Sequence, residues 1–151
     1  MVKQVDRESL SVKFAKLDES PGNYLKLVLS KWEKALQGVL NGLDLTATQL
    51  ELLGTVANLT LDGKPVTQID VGVFAHRDKN TVSRVMRALE KKGYVTRLAK
   101  DGDMRSKYLT LTDKGFRLVD KAMNEVLLID ERFFVDDGDA GELKRLLKKY
   151  L

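Results

Sequence analysis

Hydrophobic residues recur at helical spacing along most of this chain. After the breaker Ser20-Pro21-Gly22 and a cap at Asn23, apolar positions fall at Tyr24, Leu25, Val28, Leu29, Trp32, Leu36, Val39 and Leu40, which predicts a long helix ending near Gly42. Thr46 and Gln49 then form a capping box, and Leu50, Leu53, Val56 and Ala57 carry a second helix toward Leu61-Asp62-Gly63. A second box opens at Thr67, with Asp70 in the reciprocating position, ahead of Ile69, Val71, Val73 and Phe74. Gly72 and the β-branched residues there are poor helix formers, so packing has to hold that segment. The clearest helix follows Asp78, where Val82, Val85, Met86 and Leu89 stand at i, i+3, i+4 and i+7 and Gly93 supplies a left-handed stop.

The period then changes. Tyr94 to Ala99 and Lys107 to Thr112 are β-prone runs around a charged stretch containing Asp101-Gly102, a hairpin signal with an extended tip. Thr112 caps another long helix, with Phe116, Val119, Met123, Val126, Leu127 and Phe134 on one stripe. Past the turn-rich stretch from Asp136 to Gly141, Leu143, Leu146, Leu147 and Tyr150 define a last amphipathic helix. Residues 1–22 are polar, and the alternation of Leu10, Val12 and Phe14 admits a short strand or a docked arm. The fold expected is mainly α with a small β-hairpin wing. Its parts are an N-terminal arm (1–22), a first long helix (23–43), a winged helix-turn-helix lobe (44–112) and C-terminal helices (113–151).

Two short helices in tandem, the second followed directly by a hairpin, are the layout that carries a helix into the DNA major groove. With its apolar stripe buried, the second helix presents Lys79, Asn80, Ser83, Arg84, Arg87 and Lys91 on the opposite side. Arg forks onto guanine, Asn pairs with adenine, hydroxyls take either, and cations hold phosphates. The first turns reach base edges most readily, which makes Asn80, Thr81, Ser83 and Arg84 the expected reading residues, with Arg87 shared between base and backbone. Arg97, Lys100 and Arg105 complete the expected DNA-contacting set. Arg105, near the hairpin tip, suits the minor groove, and Asp103 across the tip can aim it.

Charge follows the same division. The 26 Lys and Arg exceed the 22 Asp and Glu by only four overall, but residues 64–117 hold 13 of the basic residues against 6 acidic ones. The basic excess therefore lies where the helix and hairpin do, as expected of a region that neutralises phosphates. There is no cysteine and only one histidine, which excludes disulfides, thiolate chemistry and the usual zinc sites. No apolar run approaches the ~20 residues of a membrane span. Asp6 and Glu8 do not fit a secretory signal, so a cytoplasmic location is expected.

In order and spacing, several fragments resemble the multiple antibiotic resistance regulator (MarR) family of winged-helix transcription factors. They are Leu45-Thr46-Ala47-Thr48-Gln49, Asn80-Thr81-Val82-Ser83-Arg84, Leu89 to Arg97, Asp103-Met104-Arg105 and Leu109 to Gly115. The resemblance covers roughly Asn23 to Leu151 and departs at Val71-Gly72-Val73-Phe74, where the family usually has a Leu-Ala pair. It implies an obligate homodimer, held by the first and the last two of the helices expected above, that sets two winged lobes on a pseudo-palindromic operator. A repressor released by a small, often aromatic, ligand is the role such proteins commonly fill. Tyr24, Trp32 and His76 are the candidates to line a ligand pocket; no cofactor or metal is expected.

Two other function classes compete. An enzyme is disfavoured because the sequence has no phosphate-binding glycine loop, no paired His and Cys, and no metal-ligand cluster. A winged helix used for protein contacts need not keep a basic recognition face or a wing arginine, and this chain has both.

Overall fold

Asp6 starts the first helix, α1 (Arg7–Asp18), by accepting the amides of Glu8 and Ser9 on its carboxylate. The strand that the Leu10, Val12 and Phe14 alternation admitted does not form. A lone extended segment leaves its amides and carbonyls unpaired, whereas a capped helix closes them internally. The next helix, α2 (Pro21–Leu43), begins two residues earlier than expected, because Ser20 rather than Asn23 serves its first turn. Ser20 Oγ accepts the Asn23 amide at 3.2 Å, and Pro21 takes a position where its missing N–H costs nothing. Asn23 instead sends Nδ2 back to the Asp18 carbonyl at 2.9 Å.

The computed structural model describes residues 6–100, 103–134 and 139–151, the side chains of 100, 103–106 and 139 excepted. Two units make up the chain, Met1–Ala35 and Leu36–Leu151, with the boundary inside α2. The second unit contains the end of α2, then α3 (Ala47–Leu61), β1 (Val66–Thr67), α4 (Gln68–Phe74), α5 (Lys79–Lys91), β2 (Val95–Lys100), β3 (Asp103–Leu111), α6 (Asp113–Phe133), α7 (Asp139–Leu147) and a 3₁₀ turn, Lys148–Tyr150.

At the centre of this unit lies α3. Both halves of the expected Thr46 capping box form, the Gln49 amide reaching Thr46 Oγ1 and the Thr46 amide reaching Gln49 Oε1, each at 3.1 Å. The helix packs against α4, α5, α6 and β3. Surrounded in this way it buries Leu52 as well as the expected Leu50, Leu53 and Val56. Val71, Val82, Val85, Met86, Leu89, Val95, Leu109 and Leu111 close the core around it.

The sheet is antiparallel in the order β1-β3-β2, so it has one strand more than the expected hairpin. Val66 and Thr67 pair with Leu109 and Tyr108, a contact too short to leave a periodic signal. In the wing, β3 starts at Asp103 rather than Lys107, and Lys100 pairs with Asp103 past an irregularity after Ala99. Cross-strand pairing thus extends the ladder through a polar stretch that propensity alone would leave as loop. Thr112 caps α6 as expected, but the helix stops at Phe133, with Phe134 as its cap residue. In turn α7 begins at Asp139, inside the stretch read as a turn. No helix among the described residues is long and apolar enough to cross a membrane.

Candidate nucleic-acid interface

Local chemistry builds the helix pair. Thr67 and Asp70 cap α4 reciprocally: Asp70 Oδ2 accepts the Thr67 amide at 2.8 Å, while Thr67 Oγ1 accepts the Asp70 amide at 3.2 Å. These caps and the burial of Val71 hold a helix whose Gly72 and valines would not form one alone. Gly72 lies in a tight place: a Cβ there would stand 3.1 Å from the Arg77 carbonyl and 3.6 Å from Val82 Cγ2. At this departure from the family pattern the backbone of α4 thus lies close to the turn that leads into α5.

The turn between α4 and α5 hinges on His76, whose φ of +51° places it in the left-handed region. Its amide donates to Val73 O at 3.4 Å, and the Arg77 amide donates to Gly72 O at 2.9 Å, which is a Schellman closure of the helix end. Glycine usually fills that position, and its absence hid the turn from sequence reading. Arg77 then ties the turn to α3, its Nε and Nη2 donating to Glu51 Oε2 at 3.1 and 2.8 Å.

Asp78 caps α5. Its Oδ1 accepts the amides of Asn80 and Thr81 at 3.0 and 2.9 Å, and its Oδ2 accepts the Thr81 hydroxyl at 2.6 Å. The Thr81 hydroxyl and then the Thr81 amide hold the carboxyl below its ordinary pKa, and the Asn80 amide adds to this. A depressed folded pKa gives a stabilising contribution that is complete above the unfolded pKa and lost as the pH falls through the folded one. Asp78→Ala is therefore expected to melt below the native protein at neutral pH, with the gap closing as the pH falls below about 4; paired urea titrations across that range measure it.

The two faces of α5 are cleanly divided. Val82, Val85, Met86 and Leu89 are buried, while Lys79, Asn80, Arg84, Arg87 and Lys91 are exposed. Ser83 and Thr81 are half-buried at the border, and the Thr81 hydroxyl is already engaged by Asp78. Among the described residues Lys79, Arg84, Arg87 and Lys91 meet no carboxylate, so their charge is available to a ligand. The side chains of Lys100, Asp103 and Arg105 lie outside the described residues, and the expected pairing of Asp103 with Arg105 lies there too.

Arg97 is placed differently from the other cations. It pairs across the sheet with Leu109, which pairs in turn with Val66, and both of these are buried. Strand alternation thus turns Arg97 toward the helices and leaves Leu98 on the open face. Its side chain is only 10% exposed, with Nη1 standing 3.5 Å from Glu90 Oε2 of α5.

Of the three residues expected at a ligand pocket, Tyr24 is exposed and Trp32 half-buried in the first unit. His76 serves the α4–α5 turn and is exposed. A cleft of about 400 Å³ in the second unit is lined instead by groups that include Gln37, Asn41, Asp44, Gln49 and Lys92. Those groups largely satisfy one another: Gln37 Nε2 donates to Asn41 Oδ1 at 2.8 Å, and Lys92 Nζ to Asp44 Oδ2 at 3.0 Å. No group of three or more potential ligands that could hold a metal occurs among the described residues.

Comparison with known proteins agrees with this layout. Residues 45–107 match the model of the MarR family. An uncharacterized HTH-type transcriptional regulator of Bacillus subtilis, YdcH, is 34% identical over 122 residues, 81% of this chain and 83% of that protein. The crystal structure of the S. aureus MepR–DNA complex superposes with a TM-score of 0.76 at 23% identity, covering 87% of this chain and 96% of that one. A structure of Bordetella bronchiseptica BpsR, whose DNA binding is regulated by 6-hydroxynicotinic acid, gives 0.75 at 22% identity, covering 88% and 94%.

Proposed function

The chain belongs to the MarR family, and on that premise we propose that it is a sequence-specific, DNA-binding transcriptional repressor that acts as a homodimer on a pseudo-palindromic operator. One observation carries the reading: α5 buries a complete apolar stripe and turns outward a face of amide, hydroxyl and cationic groups whose cations, Lys79, Arg84, Arg87 and Lys91, meet no carboxylate among the described residues. In water such a face repels itself; against a phosphate backbone it releases counterions and gains affinity. Asn80, Ser83 and Arg84 read base edges, Arg87 divides between base and backbone, and Lys79 holds phosphate. Lys100 and Arg105 extend the contact along the wing into the minor groove. Residues 44–112 form the DNA-binding lobe, while the helices of 23–43 and 113–151 form the dimer. Release by a small aromatic ligand is supported by the regulation of BpsR by 6-hydroxynicotinic acid, with Tyr24 and Trp32 the residues of this chain to test first.

Fluorescence-anisotropy titration against a fragment of the protein's own promoter, repeated over a salt series, tests the reading. Arg84→Ala should lose about 1 to 3 kcal/mol of preference for that fragment over random duplex. Lys100→Ala should weaken both duplexes alike and lower the salt slope by about one. Affinity that does not respond to salt for any duplex would remove the proposal.

A further inference from the structure

We propose that Arg97 is a positioning residue that acts through Glu90 to fix the wing against the recognition helix α5, and that it does not touch DNA. The inference rests on the DNA-binding reading above and changes the role of one cation within it. Arg97 lies on the first half of β2, Glu90 on the last turn of α5, and the turn through Lys92, Gly93 and Tyr94 joins them. Their contact therefore closes a short loop between the two elements that would approach a duplex. Arg97 sits in a sheet row with buried Leu109 and Val66, so its guanidinium lies under the sheet, and only 10% of the side chain reaches solvent.

Stability does not account for an arginine in this place. Among the described residues its one carboxylate partner is at 3.5 Å and its buried Nε finds no hydrogen-bond acceptor. Burying a guanidinium with a single long contact and an idle donor costs more than the pair returns, and an apolar side chain of similar length would fill the space at no such cost. What the pair supplies is direction. A charge contact anchored in the sheet at one end and in α5 at the other narrows the angle between wing and helix, a constraint that apolar packing sets less sharply. Glu90 is also the only carboxylate from Lys79 to Lys92, on a surface otherwise given to cations. An acid there opposes phosphate unless it has an internal partner to hold.

Two variants separate positioning from contact because they predict opposite signs. If Arg97 grips phosphate, Glu90→Gln removes a repulsive charge and tightens binding, and Arg97→Met lowers the salt slope by about one. As a positioning pair, each single variant weakens promoter binding roughly three- to tenfold at an unchanged salt slope, and the double variant loses no more than either single one. Melting temperatures report folding separately, and Arg97→Met is expected to melt at or above the native protein. Glu90→Gln binding as tightly as the native protein, a reduced slope in Arg97→Met, or additive losses in the double variant would overturn the inference. Failure of the native protein itself to bind duplex would instead count against the DNA-binding reading.

Discussion

Gly115→Ala is expected to cost the fold about 3 kcal/mol, at the upper end of what one extra methyl does in a packed site. A Cβ at Gly115 would lie 2.1 Å from the Tyr94 carbonyl oxygen, 3.0 Å from its carbon and 3.2 Å from Leu111 Cδ2. The carbonyl has no freedom to retreat, because it accepts the Thr112 amide at 3.0 Å. Thr112 Oγ1 is fixed in turn, donating to Gly93 O at 2.7 Å and accepting the Gly115 amide at 3.0 Å. Alanine's better helix propensity returns only about 0.5 to 1 kcal/mol, too little to change the sign. At this chain length the melting temperature should fall by roughly 6 to 12 °C. Gly38→Ala in α2 is the control, since nothing stands within 4 Å of a Cβ there; it should melt at or slightly above the native temperature. Equal behaviour of the two variants in a thermal melt would refute the steric account.

The largest functional effect is expected from charging α2. Tyr24, Leu25, Val28 and Leu29 are all exposed on that helix, as are Met123, Leu127 and Leu128 on α6 and Leu146 and Leu147 on α7. Taken by itself, each unit thus leaves large apolar side chains at its surface, as proteins that associate do. In the dimer proposed above the second copy covers them, and two lobes on one duplex gain an effective concentration that a single lobe lacks. The Leu25→Asp and Val28→Asp double variant should therefore run in light scattering as one chain of 17.0 kDa rather than about twice that mass. Promoter affinity should drop by about 10² to 10⁴ while circular dichroism retains the helical signal. A native protein that is itself monomeric would remove the two-half-site arrangement.

Much of the fold was legible because its signals are local. The Thr46, Thr67, Asp78 and Thr112 caps, the stripe of Val82, Val85, Met86 and Leu89, and the positive φ at Gly93 all involve groups within a few residues of one another. The polar and cationic exposed side of α5 followed from that stripe by subtraction. Where side chains or a short pairing answer to distant partners, local reading fell short. Strand β1 exists only because β3 offers it an edge. His76 enters the left-handed region without the glycine that would announce it. Arg97 reads as one more wing cation until the register with Leu109 turns it inward.

The sequence by itself determined where α3, α4, α5 and α6 start, which face α5 buries and where the basic charge gathers, because capping and amphipathic periodicity are settled within a turn or two of backbone. Only the tertiary structure decided which cations remain at the surface and which glycines stand against a neighbouring backbone. Arg97 is withdrawn by the pleat of a three-stranded sheet, and Gly115 is fixed by the Tyr94 carbonyl, which leaves no room for a Cβ, while Gly72 lies more loosely against the Arg77 carbonyl. The physical reason is that burial and close contact depend on which surfaces meet across the chain, and residue type alone does not specify the meeting.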